Sequence, residues 1–272
     1  MNINMIKKRI IADYFTRSRG NEYKDIIQMA IDHDYKIMSL LDFYLLSKNK
    51  NYKKDQRILC LRHDVDIINP NATKTFFEIE RELGVKATYY FRYYTINQNL
   101  ELLKDLKKYN FEVGYHFEEI ADFAKKYAIN SKNGLIDKID EIRKNFVRNF
   151  NYFKNHYAHN VKSICSHGDW LNVRLNFPNS ELVTEDLLDE LNLEFEAYQP
   201  KLLSLFDVYA SDVANFPERW ANGVSAQSVI QKNIPWICML THERFWFTNP
   251  ICNTRVNLKS IFEQLLYKIK TY

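Results

Sequence analysis

The sequence predicts an α/β fold of parallel βα units, and three observations predict it. Apolar runs of strand length alternate with runs of helical spacing along the 272 residues, without hairpin signals between them. The first long apolar run, 57–66, ends in two carboxylates, Asp64 and Asp66. Three later apolar runs each end in a histidine: His116, His167 and His242. In a parallel sheet all of these ends meet on one rim, the C-terminal rim where α/β folds collect ligands and chemistry.

The elements follow in order. Residues 1–56 read as a helical leader, with helical apolar spacing over 25–31 and a second helix after Ser39, a suitable N-cap. The polar stretch 49–56 links it to the first strand, 57–66. A helix over 71–83 turns Phe76, Ile79 and Leu83 to one face, and Gly84 is placed to end it. Strand 86–92, helix 97–109, strand 111–117, a charged helical region over 118–157 and strand 161–167 come next. Further strands are expected at 193–197, 205–210 and 236–241, and helices at 181–191 and 258–270. No composition break splits the chain further, so 57–272 reads as a single barrel-like domain.

Composition narrows the function. A net charge of +4, with Lys and Arg scattered apart from Lys7-Lys8-Arg9, excludes a nucleic-acid-binding stripe. It leaves room for an anionic ligand or a membrane surface. With 18 Tyr, 18 Phe and only 6 Gly, the chain is neither disordered nor of low complexity. The four cysteines form no C-x-x-C, which argues against a thiolate zinc site. Cys60, Cys165 and Cys238 lie in apolar runs, where cysteine packs as a small hydrophobe. Without an export signal or a stretch of ~18 apolar residues, a soluble cytoplasmic protein is expected.

The chemistry lies at the strand ends. Side chains alternate along a strand, so Asp64 and Asp66 share a face, and two like charges so close need a cation or hydrogen bonds to hold them. An isolated D-x-D more often marks a solvated turn; the histidine-ended strands change that reading. Asp66 with two neutral imidazoles is a three-ligand, open set suited to Zn2+ or a similar divalent metal. An ion held this way polarises a carbonyl and lowers the pKa of water toward ~7. His63 points to the opposite face and reads as packing, while His156 and His159 close a charged helix.

In order and context, Arg62-His63-Asp64-Val65-Asp66, Glu112-Val113-Gly114-Tyr115-His116 and Leu240-Thr241-His242 resemble the NodB-homology polysaccharide deacetylases, the carbohydrate esterase family 4-like group. The variant whose first motif reads H-D-V-D is nearest, and residues 84–92 and 207–212 with Trp220 fit its layout. The resemblance implies a distorted (β/α)7-type barrel behind leader helices, and metal-dependent removal of an N- or O-acyl group, such as acetyl, from a sugar. By position, Asp64 matches the general base, Asp66 and His116 metal ligands, and His242 the general acid. The family's second metal histidine falls at Ile120, which cannot ligate. His167 is expected in its place, with Glu118 as rival. Asp64 ionised beside a protonated His242 implies a bell-shaped pH profile centred near neutrality.

Arg62 or Arg92 is expected to orient Asp64, and Arg92, Asp169, Asp212, Trp220 and Trp246 to contact substrate. A nucleotide-linked or lipid-linked sugar precursor of a surface polysaccharide is the expected partner. Two other readings stand beside this one: a C–N hydrolase acting on a non-sugar amide, and a metal-free carbohydrate-binding relative, which Ile120 favours.

Overall fold

The computed structural model describes residues 3–50, 55–213 and 218–271; part of the 49–56 linker lies outside them. Eight strands form one sheet: β1 Lys36–Met38, β2 Ile58–Val65, β3 Thr88–Phe91, β4 Glu112–Phe117, β5 Ser163–Ser166, β6 Phe195–Glu196, β7 Val208–Ser211 and β8 Trp236–His242. Every strand pairing is parallel, in the order β6-β5-β4-β3-β2-β8-β7. β6 and β7 end that path without pairing to each other, leaving a distorted (β/α)7-type barrel open on one side. β1 lies within the leader that reads as helical in sequence. It pairs with Ile58–Cys60 along the edge of β2 that β3 occupies further on, from Arg62 to Val65.

Alternation along the strands divides the core in two. Ile58 and Cys60 of β2 face the barrel interior with Tyr90, Cys165, Phe195 and Cys238. Leu59, Leu61 and Val65 face the other way, into the layer under the helices. All eight residues of β2 are buried, as expected of a strand covered on both faces. The interior is tight at β4. A Cβ on Gly114 would stand 2.3 Å from the Tyr90 ring and 2.8 Å from the Ser163 carbonyl, so only glycine fits.

The helices end where local chemistry ends them. The Ser39 hydroxyl accepts from the Asp42 amide at 3.1 Å and caps Leu40–Lys48. Gly84, at φ +70°, stops the helix Pro70–Glu82. The charged region 118–157 is three helices, Glu119–Tyr127, Lys132–Ile136 and Ile139–His156, broken where Ala128 turns left-handed and Ser131 caps anew. The last helix, Pro250–Thr271, begins earlier than its apolar spacing indicates. At the barrel's lower end the half-buried Glu112 carboxylate accepts from the Leu41 amide at 2.9 Å and from the Thr88 and Ser163 hydroxyls.

Candidate metal centre

The parallel pairing delivers the predicted residues to one rim. His116 is near the end of β4, His242 closes β8, and Asp66 and His167 follow β2 and β5. Asp66 Oδ1 lies 3.1 Å from His116 Nε2 and 3.1 Å from His167 Nδ1, and those two nitrogens are 3.3 Å apart. His116 Nδ1–H donates to the Cys165 carbonyl at 3.0 Å, so a neutral ring turns the Nε2 lone pair toward Asp66 and His167. Three electron-rich atoms crowded in this way repel unless a proton or cation sits among them. Ligands about 2.0–2.1 Å from a tetrahedral ion stand ~3.3 Å apart, close to the separations found here. The donor set therefore fits a divalent metal.

The turn carrying Asp66 is held from several sides. Glu243 accepts from the amides of Asp66 and Ile67 at 3.3 and 2.8 Å, and Tyr94 donates to the Asp66 carbonyl at 2.7 Å. Burial and the Asp66 charge push Glu243 up to about 8. Burial alone would raise the Asp66 pKa, but His167 and His116 hold it well below the usual carboxylate range.

Asp64 lies deeper. Arg62 Nε and Nη2 each donate to one of its oxygens at 2.8 Å, a bidentate pair fully inside the barrel. The Arg62 guanidinium stacks 4.3 Å from the Tyr198 ring and reaches Cys165 Sγ at 2.7 Å. Removing either partner strands a buried charge, at a cost of about 3–5 kcal/mol. Against burial, Arg62 keeps the Asp64 pKa lowered. Asp64 Oδ2 is 3.7 Å from His116 Nε2, which places it beside the three donors. Asp64, His116 and Cys165 form a second group of metal-ligand types. There Arg62 already occupies the carboxylate, and burial pushes the Cys165 thiol far up, away from the thiolate a metal requires. The Asp66 group is the better candidate.

His242 is governed by Asp212. The His242 Nδ1–H donates to Asp212 Oδ1 at 2.6 Å, and the His242 amide donates to Oδ2 at 2.7 Å. Burial would lower the imidazole pKa, but the Asp212 carboxylate, helped by Asp66, pushes it up to about 10. His242 Nε2 is left facing the centre, 3.8 Å from Asp66 Oδ2. A cavity of about 430 Å³ opens over this rim, lined by Asp66, His167 and His242 together with Arg92, Tyr94 and Asp169.

Several residues read as substrate contacts are engaged inside the protein. Trp246 is fully buried, its Nε1–H donates to Asp212 Oδ2 at 2.8 Å, and Arg19 covers its ring at 4.1 Å, so it offers no face to a sugar. Trp220 packs edge-on against Trp246 and is also buried. Asp212 has both oxygens committed to His242 and Trp246 and does not reach the cavity. Arg92 and Asp169 do line the cavity. Arg92, however, pairs bidentately with Glu118 rather than Asp64, and Asp169 caps the helix Trp170–Leu175 and pairs with Lys125.

Ile120 lies in the core and offers no donor, while Glu118 is held by Arg92. His63 packs as expected, between Thr241 Oγ1 at 2.6 Å and Glu80 at 2.5 Å. Two residues take roles other than those read from the sequence. Asp212, expected at the substrate, stands beside His242 because β7 and β8 register Ser211 opposite Leu240 and bring the residue after β7 alongside the end of β8. Cys165, read as packing, meets Arg62, and an apolar run does not reveal an arginine crossing the barrel to it.

No protein-family model and no curated protein matches the chain. Among solved structures, a CE4 family pseudoenzyme from Bacillus anthracis aligns at 17% identity over 81% of this chain, with a TM-score of 0.40. A mutant described as a CE4 family pseudoenzyme with restored enzymatic activity aligns at 17% over 77%, with a TM-score of 0.39. The chain spans 62–63% of the length of these two. A mutant of the peptidoglycan deacetylase PdaC from Bacillus subtilis aligns at 10% identity over 80% of this chain and 94% of its own, with a TM-score of 0.42.

Proposed function

We propose that the protein is a metal-dependent hydrolase of the NodB-homology type, removing an acyl group, in this reading acetyl, from a saccharide. The observation that carries the reading is the meeting of Asp66, His116 and His167 within 3.3 Å of one another, with Asp64 and His242 beside them at 3.7 and 3.8 Å. Asp66, His116 and His167 would hold the ion, Zn2+ being the metal that such a donor set favours. A bound ion supplies Lewis acidity toward the acyl carbonyl and stabilises the charge that develops on it.

The chain's own groups supply the proton transfers. Arg62 fixes the Asp64 carboxylate and keeps it ionised, so that it accepts a proton as water attacks. Asp212 fixes the His242 ring with Nε2 toward the centre and keeps it charged, so that it donates to the departing nitrogen or oxygen. Arg92 and Asp169, which line the cavity, are the proposed substrate contacts.

The leader, 1–56, and the barrel, 57–272, act as one unit in this reading; Arg9 of the leader lines the same cavity as Asp66. The proposed substrate is a cytoplasmic nucleotide- or lipid-linked sugar precursor of a surface polysaccharide. The metal-free binding alternative draws on Ile120, but the position of His167 weighs against it, since it supplies the donor that Ile120 lacks.

Acetate release, measured with zinc-loaded and chelator-treated protein on acetylated polymer, nucleotide-linked sugar and lipid-linked sugar, tests the proposal. Metal-dependent release from a precursor is the expected result. Release from polymer alone removes the precursor assignment, and no release from any acylated sugar removes the hydrolase reading.

A further inference from the structure

The helix Pro250–Thr271 is amphipathic in the reverse sense. Its inward side is largely polar: Asn253 is buried, Asn257, Ser260 and Glu263 are half-buried beside it, and Tyr267 is the one buried aromatic of the helix. Its apolar side faces outward, with Ile251, Leu258, Phe262, Leu265 and Ile269 between 55% and 74% exposed at helical spacing on one stripe. The leader is tied to this helix, Asn253 Nδ2 donating to the Asp13 carbonyl at 2.8 Å, and adds exposed Ile10, Ile11 and Phe15. A stripe that normally packs into a core requires a cover when it is turned outward.

The charges indicate which cover. Among the described residues of the helix, the exposed ionisable side chains are Arg255, Lys259, Lys268 and Lys270, all cationic, while Glu263 is half-buried and pairs with Lys125 and Lys259. A second copy docking face to face would bring these cations against one another. An anionic bilayer surface accepts both the apolar stripe and its cationic flanks. No described helix is long and apolar enough to cross a membrane, so the geometry is that of a helix lying in the interface. The same helix lines the cavity above Asp66 through Val256, Lys259 and Ser260, so the stripe and one wall of the cavity belong to a single helix.

We infer that this face docks on an anionic membrane surface and presents the cavity to lipid headgroups. Within the hydrolase reading, on which this last step rests, the substrate is then an acylated saccharide carried on a lipid.

Co-sedimentation of the 272-residue chain with phosphatidylcholine vesicles, and with vesicles that also contain phosphatidylglycerol, tests the docking without any activity readout. The inference expects a monomer that binds the anionic vesicles and is released by salt. The double variant Phe262→Glu/Leu265→Glu should bind at least ~10-fold more weakly, because it removes apolar burial. Arg255→Glu/Lys270→Glu should weaken binding by about 25-fold or more, at about fivefold for each cation removed. An unchanged melting temperature in both variants confirms that the fold is intact. Absence of binding to anionic vesicles, or binding that the Phe262/Leu265 variant leaves unchanged, overturns the inference. A dimer that the same variant dissociates assigns the face to a second copy instead. Hydrolysis of a soluble acyl sugar, assayed separately, distinguishes failure of the docking from failure of the chemistry.

Discussion

Asp64 and Asp66 stand two residues apart at the end of one strand, in opposite surroundings. Asp64 is buried in the barrel with both oxygens on Arg62, its second oxygen lying 3.6 Å from Cys165 Sγ and 3.7 Å from His116 Nε2 at the edge of the centre. Asp66 sits at the floor of the cavity, faced by two imidazoles and a third at 3.8 Å, with its side chain 21% exposed. Identical carboxylates thus acquire different work from the strands beside them: β2 and β5 hold one in a fixed ion pair, while β4 and the turn after β5 surround the other with lone pairs. The same contrast recurs among the histidines. His63 is consumed by Glu80 and Thr241, whereas His116 uses Nδ1 to anchor itself and keeps Nε2 for the centre.

The largest expected effect falls on the Asp66 side. His116→Ala should weaken zinc binding by more than ~100-fold, measured by calorimetry, because it removes a ligand rather than its support. Asp64→Asn should retain the metal yet lower acyl hydrolysis by about 10²–10⁴-fold, the usual contribution of a positioned base. Equal metal loss in both variants would erase the distinction between the two carboxylates.

Asp212→Asn probes His242 next. The Asp212 carboxylate raises the imidazole pKa, with Asp66 and Asp64 adding to it in the metal-free protein, so the proton is held above the ordinary histidine range. Activity that needs this proton should therefore persist well above neutrality and fall on the alkaline side, a profile displaced upward from the near-neutral one expected from residue types alone. In Asp212→Asn, histidine NMR on the metal-free protein should show the titration back toward ~6.5, with the alkaline limb of the rate following it. The smallest effect is at Ile120. Ile120→His should leave zinc affinity unchanged, because the position points into the core, and should lower unfolding free energy in urea by about 1–3 kcal/mol.

Much of this was legible in the residues, for identifiable reasons. The seven main strands and the histidine-ended rim followed from short continuous apolar runs, the pattern of strands that a parallel sheet buries on both faces. The choice of His167 in place of Ile120 followed from asking which neighbouring strand end carries an imidazole; its Nδ1 lies 3.1 Å from Asp66 Oδ1, and its role as a ligand is part of the proposal. The three-residue β1 left no periodic signal. Trp220 and Trp246 were misplaced because an aromatic near a rim motif looks the same in sequence whether its face is open or covered. Asp212 was given to substrate rather than to His242 because that pairing depends on register between two strands, which appears only when the sheet is assembled.

The most direct test is a crystal structure of the zinc-loaded protein, with the ion located by its anomalous signal. The account predicts one ion bound by Asp66, His116 and His167, with Asp64 still paired to Arg62 and His242 to Asp212. An ion held by Asp64 and Cys165, or zinc absent from this rim at saturating concentration, would contradict it.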